Sequence, residues 1–496
     1  LMKDVRQQKT IRIGPILALT LAFAGIAIPA QAQTFTSLYT FPGPNGNPPG
    51  SAFPNGLVQG ANGYLYGTTG YNTGGVFKIS TSGSVTTLHS FDAGGSDTDG
   101  EANSAALVQA TNGNFYGTSQ GNSGGCSGPN GTCGVVYEIT PSGGFTILYN
   151  FCSVTNQTNS CLDGTTTEVA LVQASNGNLY GTNQVYAAYN AGTIFKLTLG
   201  GALTTLHSFC ANGSYEDCPD GNGPYSPLVQ GTDGNLYGTT SFGGANYFDG
   251  TAFKITPGGT FTTLHSFSAN GDLGYYPTGG LVQAANGNFY GVTAEGGTTG
   301  GGTFFTMTAS GAVTTLYSFC TVGNCLDGTR PNLVILATDG NFYGTTAGGG
   351  VNSLGTIFRV TPSGTLTTVH NFNGADGVSG TLMQDTSGTF YGTSPSGGAG
   401  YPNCNDCAGT AWSLSVGLAP FVETLPASGR VGASVKILGT NLRGATSVTF
   451  NGTSATFTVV SGTEITATVP TGATTGPVKV STSRGTLTSN VAFQVP

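Results

Sequence analysis

The stretch LVQAANGNFYGVT, residues 281–293, sets two short apolar runs on either side of an Asn-Gly dipeptide. Once, it would read as a hairpin and little more. The chain writes nearly the same line seven times, beginning also at Leu57, Leu107, Leu171, Leu228, Val334 and Leu382. Copies are spaced 48 to 64 residues apart, the length of one unit of a propeller or similar repeat architecture.

Each unit holds four strand-like segments. In the fifth, residues 281–284 and 288–293 flank Asn286-Gly287, and a type I′ turn is expected because Asn and Gly tolerate φ > 0. Equivalent turns fall at Asn62-Gly63, Asn112-Gly113, Asn176-Gly177, Asp233-Gly234, Asp339-Gly340 and Ser387-Gly388. The third segment is 303–308 and the fourth 313–319. All are rich in β-branched and aromatic residues and too short for helices.

The count of segments decides the topology. First, second and third segments occur seven times, but the fourth follows only six units, at 85–91, 145–151, 203–209, 261–267, 313–319 and 366–372. After the last third segment, around Trp412, the chain runs into GLAPFVETLPASG instead. An orphan fourth segment, FTSLYTF at 35–41, stands at the other end. A closed ring explains both facts, since the early strand completes the last blade and removes open edges. A solenoid would want capping repeats and has no use for a displaced strand. The reading is an all-β chain: a seven-bladed β-propeller closed by an N-terminal strand, then a separate β-sandwich.

Tyr-Gly recurs in every second segment, at Tyr66, Tyr116, Tyr180, Tyr237, Tyr290, Tyr343 and Tyr391. Glycine there permits close backbone approach, and tyrosine can fill the space between blades while its hydroxyl finds a polar partner. Seven equal copies suit a packing rule better than a single sugar-stacking site.

Residues 1–32 read as a secretory signal peptide. Lys3, Arg6, Lys9 and Arg12 precede an apolar run to Ile28, and Ala30-Gln31-Ala32 gives a small-x-small cleavage pattern. The run is short for a membrane span and carries Gly14, Pro15 and Gly25. Cleavage would remove four of 14 basic and one of 22 acidic residues, leaving 10 against 21, or −11. That surface argues against nucleic acid and anionic lipid as partners, and no membrane insertion is expected after signal cleavage. Glycine contributes 83 residues, which fits many tight turns.

Ten cysteines fall as close pairs: Cys126/Cys133, Cys152/Cys161, Cys210/Cys218, Cys320/Cys325 and Cys404/Cys407. In an exported chain these read as five loop-stapling disulfides. A zinc site would need converging ligands, and a redox Cys404-x-x-Cys407 would need a βαβ context.

The repeat LVQ…NGNFYGTT…GTIFKVT…GTLTTLHSF resembles the GloVer-type bacterial extracellular tandem repeat, also seen in HAF-like proteins, from roughly Phe35 to Leu414. The resemblance implies an exported protein of the bacterial surface or envelope and carries no agreed catalytic residues. Some relatives end in membrane or sorting anchors; this chain stops at Pro496 without an apolar tail. From about Ala419 the texture alternates between Gly, Asn and Pro turns, with seven or so strands in about 75 residues, as in an Ig-like sandwich. GTNL, VTFNG and ATVPTGATTGPVKVST resemble an IPT/TIG domain, a module that serves as a spacer or protein-contact unit. The expected domains are 1–32 signal peptide, 33–417 propeller and 418–496 IPT/TIG.

The sequence singles out no catalytic residue. His89, His207, His265 and His370 share one repeat column with Tyr39, Tyr149 and Tyr317, a pattern of packing and not of a triad or zinc site. Acids gather in the connections after the fourth segments, where Asp-Gly is mostly turn chemistry. Asp97, Asp99 and Glu101 offer a weak Ca²⁺ candidate without the full EF-hand loop; no other cofactor is expected. The variable connections also carry Tyr186, Tyr189, Tyr215, Tyr225, Tyr247, Tyr275 and Tyr276, the candidate ligand-binding set. Loops on a rigid scaffold concentrate binding diversity, and tyrosine gives contact area at low entropic cost. The expected function is non-enzymatic recognition of a glycan or protein at the cell surface or outside it. The alternative is a polysaccharide hydrolase or lyase using loop carboxylates and tyrosines.

Overall fold

The computed structural model describes residues 33–496 apart from 43–52, 71–73, 92–98, 101–104, 121–132, 156–160, 166, 168, 185–188, 190, 212–217, 246–248, 270–272, 400, 402–406 and 496. The expected signal peptide lies outside the described residues. From Thr34 to Ser415 the chain forms seven antiparallel sheets among the described residues. The first sheet runs Pro54–Gln59, Leu65–Thr69, Gly75–Ile79 and Val85–Ser90, each strand pairing with the next. The others repeat this order, and the fifth adds Tyr275–Pro277 beside its second strand.

The last sheet closes as the strand count requires. Its own strands are Thr381–Gln384, Phe390–Ser394 and Cys407–Ser415, and Thr34–Pro42 supplies the fourth. Phe35 lies opposite Leu414 and Ser37 opposite Trp412 in an antiparallel ladder.

Burial follows position in the sheet. Second strands such as Leu65–Thr69 are buried at every residue, because both faces meet a neighbouring blade. Fourth strands such as Val85–Ser90 are only half-buried, as outer edges should be. The Tyr-Gly pair serves both rules. The Tyr66 ring stacks on Phe115 of the next sheet at 4.0 Å, and Tyr237 meets Phe289 in the same way at 4.1 Å. A Cβ on Gly67 would stand 2.6 Å from the Phe77 ring, so the glycine makes room for the third strand's aromatic.

The hairpins depart from the expected type I′ turn. Gly63 has φ 81°, but Asn62 is not left-handed; Gly63 N–H bonds Gly60 O, and Gly60 N–H bonds Tyr64 O. This is a three-residue loop ending in a left-handed glycine. The asparagine has another task. Asn62 Oδ1 accepts from Tyr64 N–H, and its Nδ2 donates to the Tyr66 hydroxyl at 2.7 Å. Asn112, Asn176 and Asn286 hold Tyr116, Tyr180 and Tyr290 likewise, while Asp233 and Asp339 accept from Tyr237 and Tyr343.

Two sets of hydrogen bonds tie each sheet to the next. At the hairpin end, a glutamine from six of the seven inner strands accepts a backbone N–H of the preceding hairpin. Ala61 bonds Gln109, Thr111 Gln173, Ser175 Gln230, Thr232 Gln283, Thr338 Gln384, and Thr386 bonds Gln59 across the closure. Deeper in, at several junctions the threonine after Tyr-Gly reaches the chain at or just before the following inner strand: Thr68 to Ala105 O, Thr182 to Pro224 O, Thr345 to Gly380 O, Thr393 to Asn55 O. Between the fifth and sixth sheets both latches are replaced by apolar residues, Val292 for the threonine and Leu336 for the glutamine, in a shared cluster with Phe342 and Phe358.

Residues from Glu423 onward form two four-stranded sheets around a core of Val435, Ile437, Val448, Phe450, Ile465 and Val480. This sandwich rests on the hairpin end of the propeller. Thr463 Oγ1 donates to Ala61 O at 2.7 Å, and Phe421 N–H to Thr386 O at 3.0 Å. Inner-strand residues Val172, Val229, Val282 and Leu336 enclose a cavity of about 330 Å³ together with Pro426, Ala427 and Val491 of the sandwich.

Gln59→Leu leaves the buried Thr386 N–H without its acceptor and should lower stability by about 1–3 kcal/mol, read as a lower melting temperature or denaturant midpoint. Deleting residues 33–42 uncovers the Cys407–Ser415 edge and the Trp412 cluster; the product should lose cooperative melting, and an unchanged transition would refute the closure.

Candidate functional site

The end of the propeller opposite the sandwich is built from the connections that vary between repeats. Among the described residues, five of their aspartates are committed. His89 Nε2 donates to Asp99 at 2.8 Å, His207 to Asp220 and His370 to Asp376 at 2.9 Å. Where the column is tyrosine, Tyr149 donates to Asp163 and Tyr317 to Asp327, both at 2.7 Å. The same carboxylates accept backbone N–H groups of their connections: Ser153 to Asp163, Cys210 to Asp220, Thr321 to Asp327 and Asn373 to Asp376. Each aspartate thus pins a loop to its fourth strand. Burial pushes the Asp163 carboxyl up, against the hydrogen bonds it receives, and lifts the Tyr317 phenol to about 12.

The histidines are packing residues, as their column suggested. His89, His207 and His370 stack flat on Phe145, Phe261 and Phe35, each opening the adjoining fourth strand, at 3.8 to 3.9 Å. The strand adjoining His265 opens with Val313 instead, and His265 Nε2 is buried with no hydrogen-bond partner among the described residues. Burial holds His89 and His265 below the ordinary imidazole range.

Of the calcium candidates, Asp99 is engaged by His89, and Asp97 and Glu101 lie outside the described residues. Among the described residues no group of three or more His, Cys, Asp or Glu converges to hold a metal. Disulfides join Cys152–Cys161, Cys210–Cys218 and Cys320–Cys325, as paired in the sequence. Cys133 is also disulfide-bonded; Cys126 and Cys404 fall outside the described residues, and Cys407 opens a strand instead of lying in a loop. Three bridges fit an oxidising compartment. No helix among the described residues is long and apolar enough to cross a membrane.

Among the tyrosines, Tyr186, Tyr215 and Tyr247 are outside the described residues. Tyr189 is exposed between the second and third strands of the third sheet. Tyr225, Tyr275 and Tyr276 come together. Phe242 bridges Tyr225 and Tyr276 through edge-to-face contacts at 6.2 and 5.1 Å. The Tyr275 hydroxyl donates to Glu295 at 2.8 Å, and Arg330 reaches Glu295 at 3.6 Å. The bond to Glu295 raises the Tyr275 phenol, with burial adding to it.

Sequence reading passed over Arg330, Glu295 and Phe53, and a backbone column shows why they matter. Phe53, Gly223, Tyr276, Arg330 and Ser379 all have φ between 54° and 64°. Each donates its N–H to the preceding sheet, to Ala408, Ala191, Asp249, Gly301 and Leu354 respectively. Four of them precede a proline, Pro54, Pro224, Pro277 and Pro331, while Ser379 precedes Gly380.

Fold and site together define a β-propeller joined to an Ig-like sandwich. Residues 154–332 match the Gloeobacter/Verrucomicrobia repeat and residues 421–495 the IPT/TIG domain, so the chain carries these repeats followed by that domain. No curated protein matches the sequence. Similar solved structures include a streptogramin B lyase, 14% identical over 77% of this chain and 97% of its own, with a TM-score of 0.49. A fungal alcohol oxidase of the AA5 family in complex with copper is 13% identical over 93% and 98%, also with a TM-score of 0.49. The WD40 propeller domain of Doa1 is 9% identical over 77% and 97%, at 0.46. Likeness at this level transfers no chemistry.

The lowered histidines give a pH test. Stability that depends on neutral rings is fully present above the free value of 6.5 and is lost as pH falls through the depressed folded values. His265→Phe should therefore show a smaller drop in melting temperature than the natural chain between about pH 7.5 and about pH 5. An equal drop would refute the assignment.

Proposed function

We propose that this is an exported, non-enzymatic binding or scaffold protein whose connector face recognises a glycan or protein ligand, with the IPT/TIG domain as a contact module. The observation that carries the reading is the commitment of the described connector aspartates. A general acid or base needs a carboxylate free to meet substrate, yet Asp163, Asp220, Asp327 and Asp376 are each bound by a His or Tyr side chain and a backbone N–H. The sandwich supports the choice of face, since it rests on the hairpin end and leaves the variable connections outward. Disulfides support export.

A glycan array run beside a polysaccharide activity screen tests the reading; binding without turnover is expected, and turnover would overturn it. Tyr225→Ala should weaken any ligand found at least several-fold, whereas Asn286→Ala, which frees the Tyr290 hydroxyl, should lower the melting temperature and leave affinity intact.

A further inference from the structure

The left-handed column is where the chain accepts strain without needing to. A bulky residue at positive φ is an outlier, and a residue before proline is driven further toward extended backbone. The N–H bond to the preceding sheet fixes this conformation at all five described positions, and glycine meets it freely at Gly223. Four of the five nonetheless carry a side chain there, Phe53, Tyr276, Arg330 and Ser379, and the fifth and sixth sheets place Tyr276 and Arg330 side by side. At the fourth sheet the ring arrives by another route: a Cβ on Gly223 would stand 2.6 Å from the Tyr225 ring, which occupies that space. Three consecutive sheets therefore put a functional side chain at one level of the connector face. Strain that the architecture does not require points to what the side chain does.

The chemistry of the group is specific. Tyr225, Phe242 and Tyr276 meet edge to face, so they offer separate ring faces and not one flat apolar patch. Beside them Arg330 and Glu295 hold a donor fork and an acceptor pair 3.6 Å apart, with the Tyr275 hydroxyl on the same carboxylate. Arg330 is the one basic residue of the repeat region outside the third-strand column of Lys78, Lys196, Lys254 and Arg359, and its side chain is 65% exposed. A balanced Arg–Glu pair on an acidic protein does not attract a polyanion. It does match vicinal hydroxyls, which donate to a carboxylate and accept from a guanidinium, while the C–H face of a pyranose meets the negative face of an aromatic ring.

We infer that Tyr225, Phe242, Tyr276, Arg330 and Glu295 form a binding site for a neutral saccharide, bridging the fourth to sixth sheets; this rests on the binding-protein reading above and narrows its ligand. The site lies at the junction where Val292 and Leu336 replace both interblade latches, so the Glu295–Arg330 pair is also a polar link across it.

The test exploits the strain. Tyr276→Gly and Arg330→Gly relax the backbone while giving up one ring contact and one exposed ion pair, so both variants should fold and melt close to the natural temperature. The natural chain should be retarded in native gels containing a soluble neutral polysaccharide from a panel of galactomannan, β-glucan, hydroxyethyl cellulose and soluble starch. Each glycine variant should lose at least tenfold in affinity, while Tyr64→Ala on the hairpin face should not. Retardation surviving in both glycine variants would overturn this site and leave the broader binding reading standing. No retardation by any of the four would overturn the saccharide assignment. A fall in polysaccharide viscosity during incubation would instead overturn the broader reading.

Discussion

The ring stands on a hydrogen bond made at six of its seven junctions: a backbone N–H of one hairpin donating to the inner-strand glutamine that follows. The bond is worth little alone, about 1 kcal/mol net. Its weight comes from closure. The same glutamine turns its amide back onto its own hairpin, as Gln173 does to Gly177 O and Gln283 to Gly287 O, so hairpin shape and blade spacing are set together. At the seam, Gln59 both accepts from Thr386 N–H and donates to its hydroxyl, joining residues 327 positions apart.

Once the inner ends are fixed this way, packing between blades follows. Each core cluster mixes two adjoining sheets, as Tyr66, Val76 and Phe91 do with Phe115, Tyr137 and Ile139. The fifth-to-sixth junction shows the latch is replaceable by apolar volume, since Val292 and Leu336 pack there without it. Further out, the aspartates complete the scheme by tying connections to fourth strands. What is left free to vary is the length and side chains of the connections themselves.

The ring was legible because its evidence is arithmetic: seven hairpins, six fourth strands and one orphan at residues 35–41. The role of Tyr-Gly was legible too, since a close approach and a buried hydroxyl each demand their residue. The turn type was not. Asn-Gly alone favours two left-handed residues, but the tyrosine four positions after the asparagine claims its side chain, and packing against the next sheet is what places that tyrosine. The connector tyrosines stood out in the sequence as unmatched aromatics, and the structure brings Tyr225 and Tyr276 together through Phe242. Arg330 and Phe53 were hidden because positive φ leaves no mark in sequence unless glycine fills it. Only Gly223-Pro224 beside Tyr276-Pro277 and Arg330-Pro331 hints at the column.

The sandwich gives this arrangement its polarity. Glu423, at the start of its strand Glu423–Leu425, lines a cavity with Leu57, Val58, Val108 and Met383 of the inner strands. Desolvation raises the pKa of its carboxyl. The hairpins around it carry the sandwich through Ala61 and Thr386. The inner strands therefore have two unlike ends. At one, glutamines and the sandwich use up the backbone groups; at the other, the left-handed column lifts Phe53, Tyr276 and Arg330 outward. A repeat that serves packing at seven equal positions becomes, at that second end, a frame on which unequal side chains can be placed.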